Sequence, residues 1–258
     1  MKIQVLMSAC KVNKIEDLVK GKNINNAIII NQMMPKYKVD KYKNITMYSY
    51  DERGLSKSRN RLLEHANGDI GIITDDDITF VKDYETIIEK AYNDNPDADI
   101  IIFNFTRGNE EIGGNKSFKY NKITILKVIS FQITFKVKKI KEKDIHFDEN
   151  FGIGATFGSG EENIFLSDCL KKGLKIVHVP IVICSHPDEA TTGEKWTEKE
   201  IRTKGAVSKR IYKAGLLYRS YLLVTKHKYY KKDFSYAKFN KLFKSGKKEY
   251  KTIKKENR

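Results

Sequence analysis

Residues 70–77 read Ile-Gly-Ile-Ile-Thr-Asp-Asp-Asp. Four small or apolar residues and a threonine form the pattern of a strand buried on both faces, which is how strands of a parallel sheet read. Three aspartates follow at once, so the acids sit where the chain leaves the sheet. In open α/β sheets ligands bind beyond the carboxyl ends of the strands. On an extended chain, residues two apart share a side, so Asp75 and Asp77 are expected to converge. Hard carboxylate oxygens at a cleft floor suit Mg²⁺ or Mn²⁺. Such ions take one or two protein carboxylates and complete their octahedron with water and phosphate. Taken alone, the run also fits an acidic turn after a strand.

On both sides of this run, short β-branched stretches alternate with helical patterns through the first two-thirds of the chain, predicting an α/β fold with a mostly parallel sheet flanked by helices. Further strands are expected at Ile3–Ser8, Ala27–Asn31, Ile45–Tyr50, Asp99–Phe105 and Leu174–Val179. Helices are expected at Lys14–Lys20 and Asp83–Asn93, and from an N-cap at Ser56 to about Ala66. Another should run from Glu161 to Lys172, ending at Gly173 in the left-handed conformation. The stretch Ile123–Val137 reads equally as helix or strand, and Asp188–Gly193 (DEATTG) as a mobile loop.

The context around the aspartates carries a resemblance. Upstream stand Gly54-Leu55-Ser56-Lys57-Ser58-Arg59-Asn60 and Ala66-Asn67-Gly68-Asp69. Downstream stand Gly160-Glu161-Glu162, then Gly173 to Pro180, then His186. This order resembles the family 2 glycosyltransferases of GT-A fold, particularly those that build bacterial capsule and other cell-surface polysaccharides. The resemblance implies a nucleotide-binding half (1–105), an acceptor-side half (106–194) and a C-terminal extension (195–258). It implies inverting transfer from a nucleotide-sugar donor, a UDP-sugar in the first instance, to a saccharide or lipid-linked acceptor.

The resemblance also assigns residues. Asp77 is the expected direct ligand of the divalent metal, with His186 beside it at the metal or diphosphate. Asp75 would face the ribose or orient the site, and Asp76 is the donor-side acid the site can spare. The base and ribose are expected near Ser8 and Ala9 and near Asn31 and Gln32. An amide stands at the last of these positions where relatives often carry an acid. Arg59 either faces the diphosphate or lies on the helix surface and pairs with an acid. Glu162 is the expected catalytic base and Glu161 the residue holding the acceptor or the loop. Glu stands in place of the family's usual Asp, which leaves open which of the two reaches the acceptor. A positioned base is worth roughly 10²- to 10⁴-fold in rate.

Charge is unevenly placed. The formal net charge is +16. From Lys195 onward there are 21 Lys or Arg and five Asp or Glu, while residues 1–194 carry 28 of each. A neutral body with a basic helical tail predicts docking on something anionic. Attraction to an anionic leaflet is about 1 kcal/mol per basic residue, so a cytoplasmic enzyme peripheral on the inner face of the cell membrane is expected. Homo-oligomers through the tail remain open. Aromatics among the bases, as in Lys226–Lys232, also suit single-stranded nucleic acid. No nucleic-acid-binding module is evident, so no such partner is expected. A nucleotidyltransferase would carry a Gly-rich, Arg-containing loop after the first strand, and Ser8 to Asn13 do not form one. An inactive relative that only binds a nucleotide-sugar is the remaining alternative. Three scattered cysteines give neither a disulfide framework nor metal-ligand spacing. No run reaches the roughly 18 apolar residues of a spanning helix. The longest candidate, Ala214–Val224, is interrupted by Arg219.

Overall fold

The structure is a computed structural model and describes residues 1–187, 196–212, 218–219, 222–223, 226 and 233–256. The expected DEATTG loop, most of Ala214–Val224 and nearly all of Lys226–Lys232 lie outside the described residues.

In chain order the strands are β1 (Ile3–Cys10), β2 (Asn26–Gln32), β3 (Lys38–Tyr42), β4 (Asn44–Tyr50), β5 (Ile70–Thr74), β6 (Thr79–Phe80), β7 (Ile100–Arg107), β8 (Glu110–Ile112), β9 (Phe118–Lys119), β10 (Ile133–Lys136) and β11 (Ile176–His186). The helices are α1 (Ile15–Val19), α2 (Leu55–His65), α3 (Tyr84–Asp94), α4 (Val137–Glu142), α5 (Glu161–Lys171), α6 (Glu198–Ile211) and α7 (Tyr236–Glu256). Among the described residues the strands form one 11-stranded sheet in the order β3-β4-β2-β1-β5-β10-β7-β11-β6, with β8 on β7 and β9 on β11.

The β4-β2-β1-β5 block is parallel, in register Val5↔Ala27 and Ile3↔Ile70. Its carboxyl ends therefore lie on one edge. All five residues of β5 are buried, as its apolar run requires. The ambiguous stretch 123–137 resolves into two 3₁₀ turns and β10, a short strand antiparallel to both β5 and β7. β11 runs parallel to β7 and continues through Pro180, with register shifts between Val179 and Cys184. These irregularities let a proline sit inside a strand.

Two apolar cores cover the faces of the sheet. One joins β1, β2 and β7 to Ile88, Ala91 and Tyr92 of α3. The other joins them to Leu62 and Leu63 of α2 and Phe165 and Leu166 of α5. A third cluster packs Phe239, Phe243 and Tyr250 of α7 and Val207 of α6 against Phe151, Phe157 and Ile164. A helix-starting box at Thr197 and Glu200 fixes the entry to α6.

One local expectation fails. Ser56 is not the N-cap of α2; Gly54 is, at φ 128°. Ser56 lies one residue inside the helix, where its hydroxyl donates to the Phe151 carbonyl at 2.6 Å. The serine fastens the 148–160 loop to α2 instead of satisfying its own helix end. Gly173 does adopt φ 83° just after α5.

Candidate active site

The carboxyl ends of β1, β2, β4 and β5 meet α2, α5 and the end of β11 on one edge of the sheet. The aspartates form a turn after Thr74, not an extended run, so Asp75 and Asp77 do not share a side by strand alternation. Asp75 turns inward. Its Oδ1 accepts from the Arg59 guanidinium at 3.3 Å and its Oδ2 from Ser130 Oγ at 3.1 Å. Asp77 stays at the surface with Oδ2 3.4 Å from His186 Nε2. Sheet pairing explains that meeting: β6 lies antiparallel to the end of β11, with Ser185 opposite Thr79. The ring of His186 also stacks on Phe131 at 5.4 Å. Asp76 is exposed, and the Lys22 ammonium donates to its carbonyl.

Arg59 is the hinge of the site. Its side chain is 1% exposed, and NH1 donates to Glu161 Oε1 at 2.8 Å. It therefore pairs with acids, but in the interior and not on the helix surface. Of the pair, Asp75 and Glu161 are 35% and 7% exposed. Opposite charge holds the buried guanidinium ionised against the pull of burial. Arg59 Nε and Glu161 Oε2 are buried without a partner.

Glu161 and Glu162 open α5, where an acid complements the helix dipole. Gly160 precedes them at φ 95°, a left-handed conformation, and a Cβ there would come within 2.6 Å of Val207 Cγ2. Only glycine lets α6 approach the start of α5 so closely. Gly152, at φ 103°, likewise places the 148–160 loop against Ser56 and Glu161. Burial pushes the Glu162 carboxyl up to about 8, with the Glu161 charge adding to the shift and Arg59 opposing it. The Lys204 ammonium on α6 is shifted downward by burial, while the charge of Glu162 opposes that shift. Lys204 also lies 5.9 Å from the centre of the Trp196 ring.

Around the expected nucleoside position, Ser8 accepts from Ser58 Oγ at 2.8 Å, and Ala9 is buried beside it. Asn31 is fully buried and its amide is spent inside the protein. It accepts from Val12 N and donates to Val12 O and Ser49 Oγ. Asn31 thus holds the loop after β1 and presents no base-recognising edge. Gln32 is also buried, its amide 3.5 Å from Glu52 Oε1.

A cavity of about 750 Å³, bordered by Gln4, Asn26, Asn44 and Asn67, opens at the amino-terminal ends of the strands. It lies at the opposite edge of the sheet from the carboxylates, where α/β folds do not place their chemistry. Ser130 and Lys204, which no local motif marks, reach the site from the 3₁₀ turn before β10 and from α6.

This is the GT-A architecture, an α/β sheet with acids clustered at its carboxyl edge. Residues 29–157, half of the chain, match the family model described as glycosyl transferase family 2, and the chain belongs to that family of enzymes. Glu161, Glu162, His186 and the C-terminal helices lie beyond the matched span. Among solved structures, S. aureus TarS residues 1–349 in complex with UDP superimposes with a TM-score of 0.58 at 12% identity, covering 94% of this chain and 70% of that one. The same protein in complex with UDP-GlcNAc gives 0.56 at 13% identity, with 94% and 70% covered. The mannosyltransferase PcManGT from Pyrobaculum calidifontis, in complex with GDP-Man and Mn²⁺, gives 0.51 at 13% identity, covering 87% and 70%. At these identities the likeness is one of fold. No curated protein matches by sequence.

Proposed function

We propose that the chain is an inverting, metal-dependent glycosyltransferase, moving a sugar from a nucleotide-sugar, first candidate a UDP-sugar, to a saccharide or lipid-linked acceptor in cell-surface polysaccharide synthesis. The observation that carries this reading is the ion-pair chain Asp75–Arg59–Glu161. It ties the donor-side acids to the helix start that bears the candidate base. Residues 1–105 form the donor half in this reading, 106–194 the acceptor half, and 195–258 the basic extension.

The donor set suits a divalent cation: a carboxylate and an imidazole 3.4 Å apart, with Asp76 next in the chain. Among the described residues no three acids, histidines or cysteines cluster for metal binding. Substrate phosphate and water would therefore complete the coordination, as Mg²⁺ and Mn²⁺ commonly require. Asp77 and His186 would hold the ion, which when bound neutralises charge developing on the diphosphate.

Glu162 takes the proton from the attacking acceptor hydroxyl. The oxygen bonds to the anomeric carbon from the face opposite the diphosphate, the bond to the phosphate oxygen breaks, and the nucleoside diphosphate leaves. A carboxyl near 8 suits this role, because a base works best with a pKa near the operating pH. Glu161 suits it less, since Arg59 occupies one of its oxygens. Its buried, unpaired Oε2 supports a holding role toward an acceptor hydroxyl, because buried acceptors are normally satisfied. Ser8, Ala9 and Gln32 border the nucleoside, with Asn31 acting behind them through the Val12 loop.

The test is a panel of UDP- and GDP-sugars, assayed separately for binding and for hydrolysis or transfer with and without Mn²⁺. Turnover of one donor that depends on Mn²⁺ is expected. Failure of every nucleotide-sugar to bind would overturn the reading, and binding without turnover would mark an inactive relative.

A further inference from the structure

The positive charge of the extension has a definite face. Lys209 of α6 and Lys244, Lys247, Lys248 and Lys251 of α7 surround a depression of about 280 Å³, with no acid lining it among the described residues. The opposite side of α7 is fixed, since Phe239, Phe243 and Tyr250 are buried against the body. Lysines at 241, 244, 248, 251 and 254 follow helical spacing along the outer side, and all five are exposed. At 1.5 Å per residue the stripe is roughly 20 Å long. Glu249 is on the same helix but does not border the depression. The ammonium of Lys247 is shifted downward by burial and by the charges of Lys209, Lys251 and Arg219.

We infer that this lysine face docks the enzyme on an anionic lipid bilayer, with α7 lying along the headgroups. Cations packed this closely repel one another, and an extended sheet of negative charge relieves that repulsion along the whole stripe. A single small anion would neutralise only one end of it. The depression is bordered by lysines alone, so it offers no aromatic platform on which nucleic-acid bases could stack. Long lysine stems suit a bilayer because they lie on apolar surface while their ammonium groups reach the phosphates. The inference rests on the proposed membrane-linked acceptor only for its purpose, since binding to lipid is measurable without any transfer reaction.

The experiment is co-sedimentation of the full chain with phosphatidylcholine vesicles, either pure or containing phosphatidylglycerol, at low and physiological ionic strength. The K244Q/K248Q/K251Q variant runs alongside, and K248E serves as a single-site check should the triple variant melt early. Binding only to the phosphatidylglycerol vesicles, weakened by salt, is expected. The triple variant should partition roughly 100-fold less, about fivefold per lysine, with nucleotide-sugar hydrolysis unchanged. Equal binding to neutral vesicles, no binding at all, or undiminished binding by both variants would overturn the inference. So would displacement by millimolar pyrophosphate at constant ionic strength, which would mark a small-anion site. Tighter binding to single-stranded RNA than to the anionic vesicles, lost in the same variant, would also overturn it. Loss of vesicle binding with donor hydrolysis intact would leave the transferase reading standing.

Discussion

The acids after β5 and the acids that open α5 are joined by a single arginine, yet the fold treats them in opposite ways. Along the β5 run the chain moves outward, from Asp75 tied to Arg59 and Ser130 to Asp77, which is 49% exposed beside His186. At α5 the acids are more enclosed, Glu161 buried and Glu162 half-buried. Glu161 is locked to Arg59, and Glu162 sits in surroundings that push its carboxyl up to about 8. In the proposed reading the difference is a division of labour: a carboxylate that is to meet a cation and a diphosphate stays at the surface, whereas one that is to take up a proton is partly stripped of water.

The largest effect is expected from Glu162→Gln. Transfer should fall roughly 10²- to 10⁴-fold while calorimetric binding of the nucleoside diphosphate is retained; a loss below tenfold would remove Glu162 from the chemistry. Next comes Arg59→Met, which leaves Glu161 buried and unpaired. Breaking a buried pair costs about 3–5 kcal/mol, so a melting temperature lower by about 10 °C is expected by calorimetry. An unchanged melting curve would mean that the two acid groups are not held together through Arg59. Asp77→Ala should reduce turnover by roughly 10²- to 10³-fold, a loss comparable to removing one preorganised charge-stabilising group. Its signature is a lost response to Mn²⁺ titration with little change in stability.

A base held protonated at neutral pH makes kcat/KM rise with pH through its half-maximum near 8, and Lys204→Met should move that limb alkaline by about one unit. The direction follows from removing a positive charge that favours the ionised form. Stability carries the opposite sign. The native state keeps a proton that the unfolded chain releases above its ordinary value of 4.5, so this carboxyl makes stability fall as pH rises from there to about 8. In Glu162→Gln that part of the pH dependence, read by chemical denaturation, should disappear.

The features legible in the sequence are those written locally. The apolar run of β5, the helical spacing of α3 and the Gly173 stop all declare themselves within a dozen residues. What escaped was set by distant partners. Ser56 has the residue type of a cap but is diverted by the Phe151 carbonyl. Asn31 carries an edge suited to a base but is consumed by Val12 and Ser49. β10 hides because a four-residue strand between 3₁₀ turns has too little length to establish a period. β3 hides because its KVDKY sequence alternates charges, as a protected edge strand does. Ser130 and Lys204 could not be tied to the site before the sheet order and the α5–α6 packing were in hand.

The contact between Gly160 and Val207 orders events in time. In the proposed reading the donor-side groups all precede residue 187, but the wall behind Glu162 comes from α6, and α6 is secured in turn by Phe239, Phe243 and Tyr250. A ribosome releases these parts in that order, so the donor-side groups are synthesised before the helices that brace the α5 carboxylate.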